Sequence, residues 1–212
     1  MKKTLTLWLV SGLSLTASAE EVSEPRVPPK GSVSRAEGLA AWARIYEVAS
    51  HPRCSNCHVG QSERPMWSGP SYGRARPHGM NVHAGTSRIG AETLLCSTCH
   101  VDAEPTGRGN PTPHAAPRVQ GAWRLAPTEA GWYGKSSNEI CEQLRDPARN
   151  GNRTFRQLAE HLGHDRILHW GWNPGGDREP APRTLEEHID DVLRWGVAGM
   201  PCPNDRTSDS RP

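Results

Sequence analysis

The chain has 212 residues, of which 34% are hydrophobic and 23% charged, with 21 glycines, 19 prolines and a single phenylalanine. Its formal net charge of +2 indicates no basic surface of the kind that binds nucleic acid, so we expect no nucleic-acid partner. A chain this poor in apolar residues has difficulty burying enough surface to offset its ordering entropy.

The first 19 residues have the three parts of a secretory signal peptide. A basic start at residues 1–3 is followed by an apolar run from Leu5 to Leu15 and a small-residue cleavage site at residues 17–19. The run is too short to span a bilayer, and no later segment approaches that length. We expect cleavage after Ala19 and an exported, periplasmic protein with no transmembrane segment.

The mature chain is expected to begin with a flexible stretch and then a helix. Residues 20–34 are rich in Pro, Glu and Ser, which is typical of a flexible terminus. Residues 35–48 predict a helix because apolar side chains recur every three positions, at Leu39, Trp42, Ile45 and Val48.

Two runs of the form Cys-x-x-Cys-His follow. They consist of Cys54, Cys57 and His58, and of Cys96, Cys99 and His100. This spacing is typical of covalent haem attachment, in which both thiols form thioether bonds and the histidine binds iron. We predict two covalently attached haem c groups with His58 and His100 as proximal ligands. Each haem would supply the apolar surface that the composition lacks, so we expect the apo-protein to be poorly folded.

Other readings of the four cysteines are a structural zinc site, redox dithiols and disulfides. None of them accounts for a histidine directly after both pairs. A site of four thiolates is also less expected in an oxidising compartment. Zinc is the main alternative to haem.

We expect the loops to supply the second axial ligand of each haem. Residues 60–88 are rich in Gly and Pro, and within them His78 and Met80 would point to the same side of an extended segment. His114, in the proline-rich loop of residues 101–129, is a candidate for the other haem. Methionine would raise the reduction potential, a second histidine would lower it, and an open position would permit catalysis. Residues 91–95 predict a short helical lead-in to the second run.

Capping boxes mark three helices in the C-terminal part, at residues 136–139, 154–157 and 184–187. The helices are predicted to end at Arg145, at about Leu162 and at Gly196. We divide the mature chain into a flexible N-terminus (20–34), a dihaem-binding region (35–134), a helical region (135–203) and a disordered tail (204–212).

Cys141 and Cys202 bracket the helical region, and a disulfide is the simplest pairing of two remaining cysteines in an exported protein. It would close a loop of about 60 residues and contribute ~3–4 kcal/mol in the chain-entropy model.

Two further groups in this region bear on function. His161 and His164, one helical turn apart, are predicted either to face the same haem or to form a polar cluster with Asp165. The tryptophan-rich stretch of residues 170–176 predicts a turn that packs over a haem edge or the local core, or that docks a redox partner.

Six segments together resemble a group of exported bacterial dihaem c-type cytochromes, some of which are labelled isoquinoline 1-oxidoreductase subunits. They are residues 53–58 (RCSNCH), 77–82 (PHGMNV), 96–100 (CSTCH), 141–147 (CEQLRDP), 161–165 (HLGHD) and 170–175 (WGWNPG). The resemblance implies haem binding and electron transfer, with a molybdenum hydroxylase or another periplasmic dehydrogenase as the redox protein partner. The chain has no molybdopterin-binding or flavin-binding signature of its own. Residues 111–127, which include His114, depart most from the family pattern.

The prediction is a mainly α protein with extensive loops, a small cytochrome c-like dihaem protein whose short helices wrap around haem. It would carry single electrons between redox partners and would have no catalytic residues. One alternative is a haem enzyme, such as a peroxidase or small-molecule reductase, with one open iron site. The other is a zinc-stabilised binding module. A high-spin haem would favour the enzyme, and the absence of covalent haem would favour zinc.

Overall fold

The computed structural model describes residues 26–60, 64–101, 123–174 and 178–205. These residues are mainly helical, as predicted, with long loops and one two-stranded antiparallel hairpin. The helices are α1 (Arg35–Ala49), α2 (Pro52–Ser55), α3 (Ser137–Arg145), α4 (Phe155–His164), α5 (Arg166–Trp172) and α6 (Leu185–Val197), and the strands are β1 (Met66–Trp67) and β2 (Arg76–Pro77). The predicted signal peptide, His114 and the last seven residues of the tail lie outside the described residues. None of the described helices is long and apolar enough to cross a membrane.

The predicted first helix is confirmed. The Ser34 side chain accepts a hydrogen bond from the Glu37 N–H, and the Glu37 carboxylate accepts one from the Ser34 N–H, which completes a capping box. Trp42, Ile45 and Val48, from the predicted apolar face, are each 1% exposed.

All three C-terminal capping boxes are also present, at the starts of α3, α4 and α6. The predicted stop at Gly196 is wrong, because α6 runs on to Val197. The stop is instead Gly199, whose φ of +86° suits glycine, and the Met200 N–H closes the helix end by donating to the Trp195 carbonyl at 2.9 Å. Gly196 is needed for packing, since a Cβ there would overlap the Phe155 ring.

The main hydrophobic core lies between the first and last helices. α1 packs against α6 and α3, and α4 packs against the other side of α6. At the centre, the Trp42 and Trp195 rings lie 5.2 Å apart. Their indole N–H groups donate to the Ser137 hydroxyl at 2.8 Å and to the Pro201 carbonyl at 3.0 Å, so both rings are buried without losing their hydrogen bonds.

The predicted disulfide is confirmed. Cys141 and Cys202 are bonded, and both are fully buried. The bond ties α3 to the segment that follows α6, within the main core.

Three local predictions are wrong. Residues 91–95 form turns rather than a helix, and the Glu92 carboxylate accepts hydrogen bonds from Thr86 and Ser87 instead of supporting a helical turn. The predicted tryptophan turn is partly helical, because Trp170 and Trp172 belong to α5. The chain from His78 to Met80 is not extended, since Met80 lies in a short 3₁₀ turn with a φ of +55°.

Candidate functional site

Each Cys-x-x-Cys-His run forms one helical turn. In the first run, the His58 N–H donates to the Cys54 carbonyl at 3.2 Å, following directly on α2. In the second run, the His100 N–H donates to the Cys96 carbonyl at 2.9 Å. Positions i, i+3 and i+4 of a helical turn share one face. The two thiols and the histidine of each run therefore lie on one side of their turn.

The two turns open on two adjacent cavities. The cavity lined by Cys54 and His58, which we call the His58 cavity, has a volume of about 440 Å³. The cavity lined by Cys96, Cys99 and His100, the His100 cavity, has a volume of about 360 Å³. Both volumes fall within the roughly 300–1,000 Å³ that is typical of cofactor and ligand sites. Cys57, the remaining cysteine of the first turn, lines both cavities.

The two cavities differ in their walls. The His58 cavity reaches into the main core and is lined by Ile45, Ala49, Leu158, Val192 and Trp195. The His100 cavity is lined by the hairpin and loops, including Met66, Trp67, Val82, Met80, Leu94 and Leu95. The last three of these side chains are 77%, 40% and 47% exposed. An exposed group of large apolar side chains around a cavity is typical of a ligand-binding groove.

A close approach of two backbone segments fixes His58. The segments meet at Gly60 and Gly131, where a Cβ on Gly131 would overlap the backbone of Gly60. This contact brings the Ala130 carbonyl to 2.7 Å from Nδ1 of His58 and stacks the Trp132 ring 3.5 Å from the imidazole. A neutral imidazole in this position donates Nδ1–H to the carbonyl, which leaves the lone pair on Nε2.

Burial lowers the pKa of His58 to about 4, so its ring is neutral at physiological pH. A neutral histidine whose Nδ1–H is held by a backbone carbonyl is the usual form of an iron or zinc ligand, because the hydrogen bond fixes both the tautomer and the ring orientation. His58 therefore has the environment that a proximal ligand requires.

His100 has a similar aromatic support. Its ring stacks on Trp123 with centroids 4.2 Å apart, and Trp123 in turn meets Trp170 edge-on at 6.3 Å. The backbone just after Trp123 holds this ring beside His100, since the Leu125 N–H donates to the Arg88 carbonyl at 2.9 Å. Each predicted proximal histidine thus lies against an indole ring that the sequence analysis did not single out.

The predicted distal candidates His78 and Met80 both line the His100 cavity. The hairpin positions His78, whose N–H donates to the Pro65 carbonyl at 2.8 Å and whose ring lies edge-on to Trp67. Its Nδ1 lies 2.9 Å from the Gly79 carbonyl, which favours the tautomer with the lone pair on Nε2. His78 thus has the fixed ring of a ligand, whereas Met80 extends into solvent.

The thiols of the first run have raised pKa values. Burial raises the pKa of Cys54 to about 12 and that of Cys57 to about 11. Redox dithiols of the thioredoxin type instead have lowered pKa values. Cys54, Cys57, Cys96 and Cys99 are all free thiols in this structure. Among the described residues, no group of three or more His, Cys, Asp or Glu side chains is arranged to hold a metal ion.

No protein-family model, curated protein or solved structure matches this chain. The interpretation of both cavities therefore depends on their own geometry and chemistry.

The two cavities share a wall. It is formed by Arg53, Cys57, Trp123, Leu125 and Trp170, which line both cavities. The Arg53 side chain is 2% exposed and lies 3.2 Å from a carboxylate oxygen of Glu179, with the Trp170 ring 5.3 Å from its guanidinium carbon. A buried cation therefore stands between the two candidate cofactor sites.

Several polar atoms around the His58 cavity have no hydrogen-bond partner among the described residues. They are Nε1 of Trp132, Nε1 of Trp172, Oε1 of Gln143 and Nδ1 of His188. Buried polar atoms are normally paired, so such a group calls for an explanation. The two indole N–H groups suit the carboxylate of a haem propionate, and the apolar walls suit its ring. The residues present therefore fit a haem.

His188 lines the His58 cavity and was missed by the sequence analysis. It lies on α6 at a spacing of four and seven from the buried Val192 and Trp195, so the helical period placed it on the inner face. A histidine one turn ahead of two buried apolar positions is the signal that could have found it.

Burial lowers the pKa of His188 from its ordinary 6.5 to about 4. Below pH 6.5 the unfolded chain gains a proton there that the folded chain does not, so stability present above pH 6.5 is lost as the pH falls towards 4. We expect this residue alone to lower the free energy of unfolding by ~3 kcal/mol over that range.

Urea unfolding at pH 7 and pH 4.5 measures this effect, with His188→Leu compared with the native protein and with the exposed-site control His164→Gln. The acid-induced loss should shrink in His188→Leu and persist in His164→Gln. An equal loss in all three proteins would contradict the expectation.

Proposed function

We propose that the protein is an exported dihaem c-type cytochrome that carries single electrons between redox partners. The observation that carries this proposal is that the histidine of each Cys-x-x-Cys-His turn lines a different apolar cavity, together with at least one thiol of its own turn. Two thiols and a histidine on one side of a turn, beside a cavity of cofactor size, are the requirements of covalent haem attachment.

The thiols of each turn would bind the cofactor through thioether bonds. Each S–H would add across one vinyl group of the porphyrin, so that a C–S bond would form, the S–H bond would break and its hydrogen would pass to the vinyl group. This addition would involve no oxidation or reduction and no leaving group. The raised pKa values of Cys54 and Cys57 keep these thiols protonated before attachment.

Once bound, the haem supplies one-electron chemistry at its iron. The chain orients His58 through the Ala130 carbonyl and His100 through the Trp123 ring. The His58 cavity is lined by side chains of the main core, whereas Met80, Leu94 and Leu95 leave the His100 cavity with an exposed apolar rim. The protein would therefore exchange electrons with partners at the His100 side, one electron at a time.

The partner we propose is a periplasmic dehydrogenase such as a molybdenum hydroxylase, in keeping with the family resemblance and the predicted export signal. That enzyme would oxidise its substrate and give up electrons singly to this protein. The protein would then pass them to an oxidised acceptor.

Expression of the full chain, with its leader, in a bacterium that matures c-type cytochromes tests the proposal. A pyridine haemochrome assay and the intact mass of the purified protein should give two haems for each chain. A redox titration should show one-electron transitions. Protein that contains no covalent haem would overturn the proposal, and zinc bound to that protein would support the binding-module alternative.

A further inference from the structure

The His58 cavity contains two histidines besides His58 itself. His161 lies in the last turn of α4, and His188 lies near the start of α6. We infer that His161 is the second axial ligand of the iron held by His58, an inference that rests on the proposed function. The spacing of His161 and His164 predicted that both face one haem or form a polar cluster; in the structure His161 lines the cavity and His164 is exposed.

Position in the cavity favours His161. His161 and His188 both line the cavity of His58, but His161 also has a carboxylate beside its ring, and His188 has none among the described residues.

A carboxylate lies close to the His161 ring. Nδ1 of His161 is 3.8 Å from a carboxylate oxygen of Asp165, an electrostatic contact that is longer than a hydrogen bond. That carboxylate is itself held at the N-terminus of α5, where it accepts hydrogen bonds from the N–H groups of Ile167 at 2.8 Å and Leu168 at 3.4 Å. A fixed carboxylate on the Nδ1 side favours the Nδ1–H tautomer, which leaves the Nε2 lone pair for a metal.

His188 lacks this support. It is 6% exposed, its Nδ1 has no hydrogen-bond partner among the described residues, and its neighbour is the Trp172 ring at 5.6 Å. A ligand histidine normally donates its second N–H to a carboxylate, a carbonyl or water. His164, the other histidine of the α4 terminus, is exposed. His161 is the member of this group with both the position and the orienting carboxylate.

Two axial histidines would make this iron low-spin and give it a lower reduction potential than a histidine–methionine pair would. Asp165 acts as a positioning residue, because it would increase the basicity of His161 and thereby stabilise the oxidised iron. The chain would therefore set the reduction potential of one haem through residues at the junction of α4 and α5.

The test compares holoproteins in which two haems have first been counted by the pyridine haemochrome assay. Electron paramagnetic resonance and visible spectra should show that His161→Ala converts one of the two haems from low-spin to high-spin. Added imidazole should restore the low-spin signal. His164→Ala, the matched control at an exposed site, should leave both haems as they are in the native protein, and His188→Ala should leave both haems low-spin.

Two conservative variants cover the case in which His161→Ala fails to fold. His161→Met should keep a six-coordinate iron and raise one of the two reduction potentials. Asp165→Asn should raise the same potential and leave the other in place. Unchanged spectra and potentials in all His161 variants, or a spin change in His188→Ala instead, would overturn the inference while leaving the dihaem function intact. A protein without haem would instead overturn the proposed function.

Discussion

Replacing Cys54 and Cys57 by serine is expected to remove one haem and unfold most of the protein. The same change at Cys96 and Cys99 should remove the other haem and leave the helices folded. The two variants are expected to differ because different residues line the two cavities. The His58 cavity is lined by side chains of the main core, whereas the His100 cavity is lined by the hairpin and loops.

The size of the effect follows from the cavity volume. An unfilled core cavity costs ~24 cal/mol per Å³ when its walls do not collapse. For the His58 cavity, at about 440 Å³, that amounts to ~10 kcal/mol. Domains are stable by only about 5–15 kcal/mol. Loss of this haem would therefore remove most of the free energy of unfolding, even if the cavity walls collapse in part.

Far-ultraviolet circular dichroism and thermal unfolding of the two double variants measure the difference, with haem content determined on the same samples. The Cys96→Ser, Cys99→Ser protein is the matched control, because it loses the same number of thiols and one haem. Equal helix content and equal melting temperatures in the two variants would show that the His58 cavity does not depend on its cofactor for stability.

Removing the disulfide with Cys141→Ser and Cys202→Ser is expected to cost ~3–4 kcal/mol. The bond closes a long loop, with a sequence separation of 61 residues, and constrains the unfolded chain accordingly. Both sulfur atoms are also fully buried within the main core, so serine hydroxyls there would be desolvated.

Guanidinium unfolding of the native protein and of the serine variant, each as the holoprotein, measures the loss in free energy of unfolding. Native protein treated with a reductant provides a second route to the same state without a substitution. The haem spectra should not change in either case, because the disulfide lies outside the lining of both cavities. A loss below ~1 kcal/mol would mean that the unfolded chain is already held compact by its haems.

Local chemistry made much of the fold predictable. The capping boxes at Ser136, Thr154 and Thr184 identified helix starts, because they depend on residues only three positions apart. The apolar period of α1 was predictable for the same reason, whereas the pairing of Cys141 with Cys202 was predictable because no other cysteine remained outside the two Cys-x-x-Cys-His runs. Prediction was poorer where a tertiary contact competes with a local pattern, as at Gly196, whose glycine accommodates the Phe155 ring.

In the candidate site, too, local spacing was predictable and contacts between distant residues were not. The spacing of Cys54, Cys57 and His58 identified them as one functional group, and the structure places all three on a single helical turn. Nothing local indicated that Trp132, more than 70 positions along the chain, would stack on His58, or that Ala130 would hold its Nδ1. His161 was weighed only as a member of a pair, because its relation to His58 arises from packing and not from spacing.

The contact between Gly60 and Gly131 has a topological consequence. The chain leaves the helical core at the first glycine and returns to it beside the same point. The His58 carbonyl accepts the N–H groups of Trp132 and Tyr133 at this crossing, which seals the gap. The described residues between the two glycines, the His100 turn included, therefore begin and end at one point of the helical core. A segment whose ends lie side by side can change in length without altering the path of the flanking helices, so the His100 cavity has the position of an insertion into a helical unit that contains the His58 cavity.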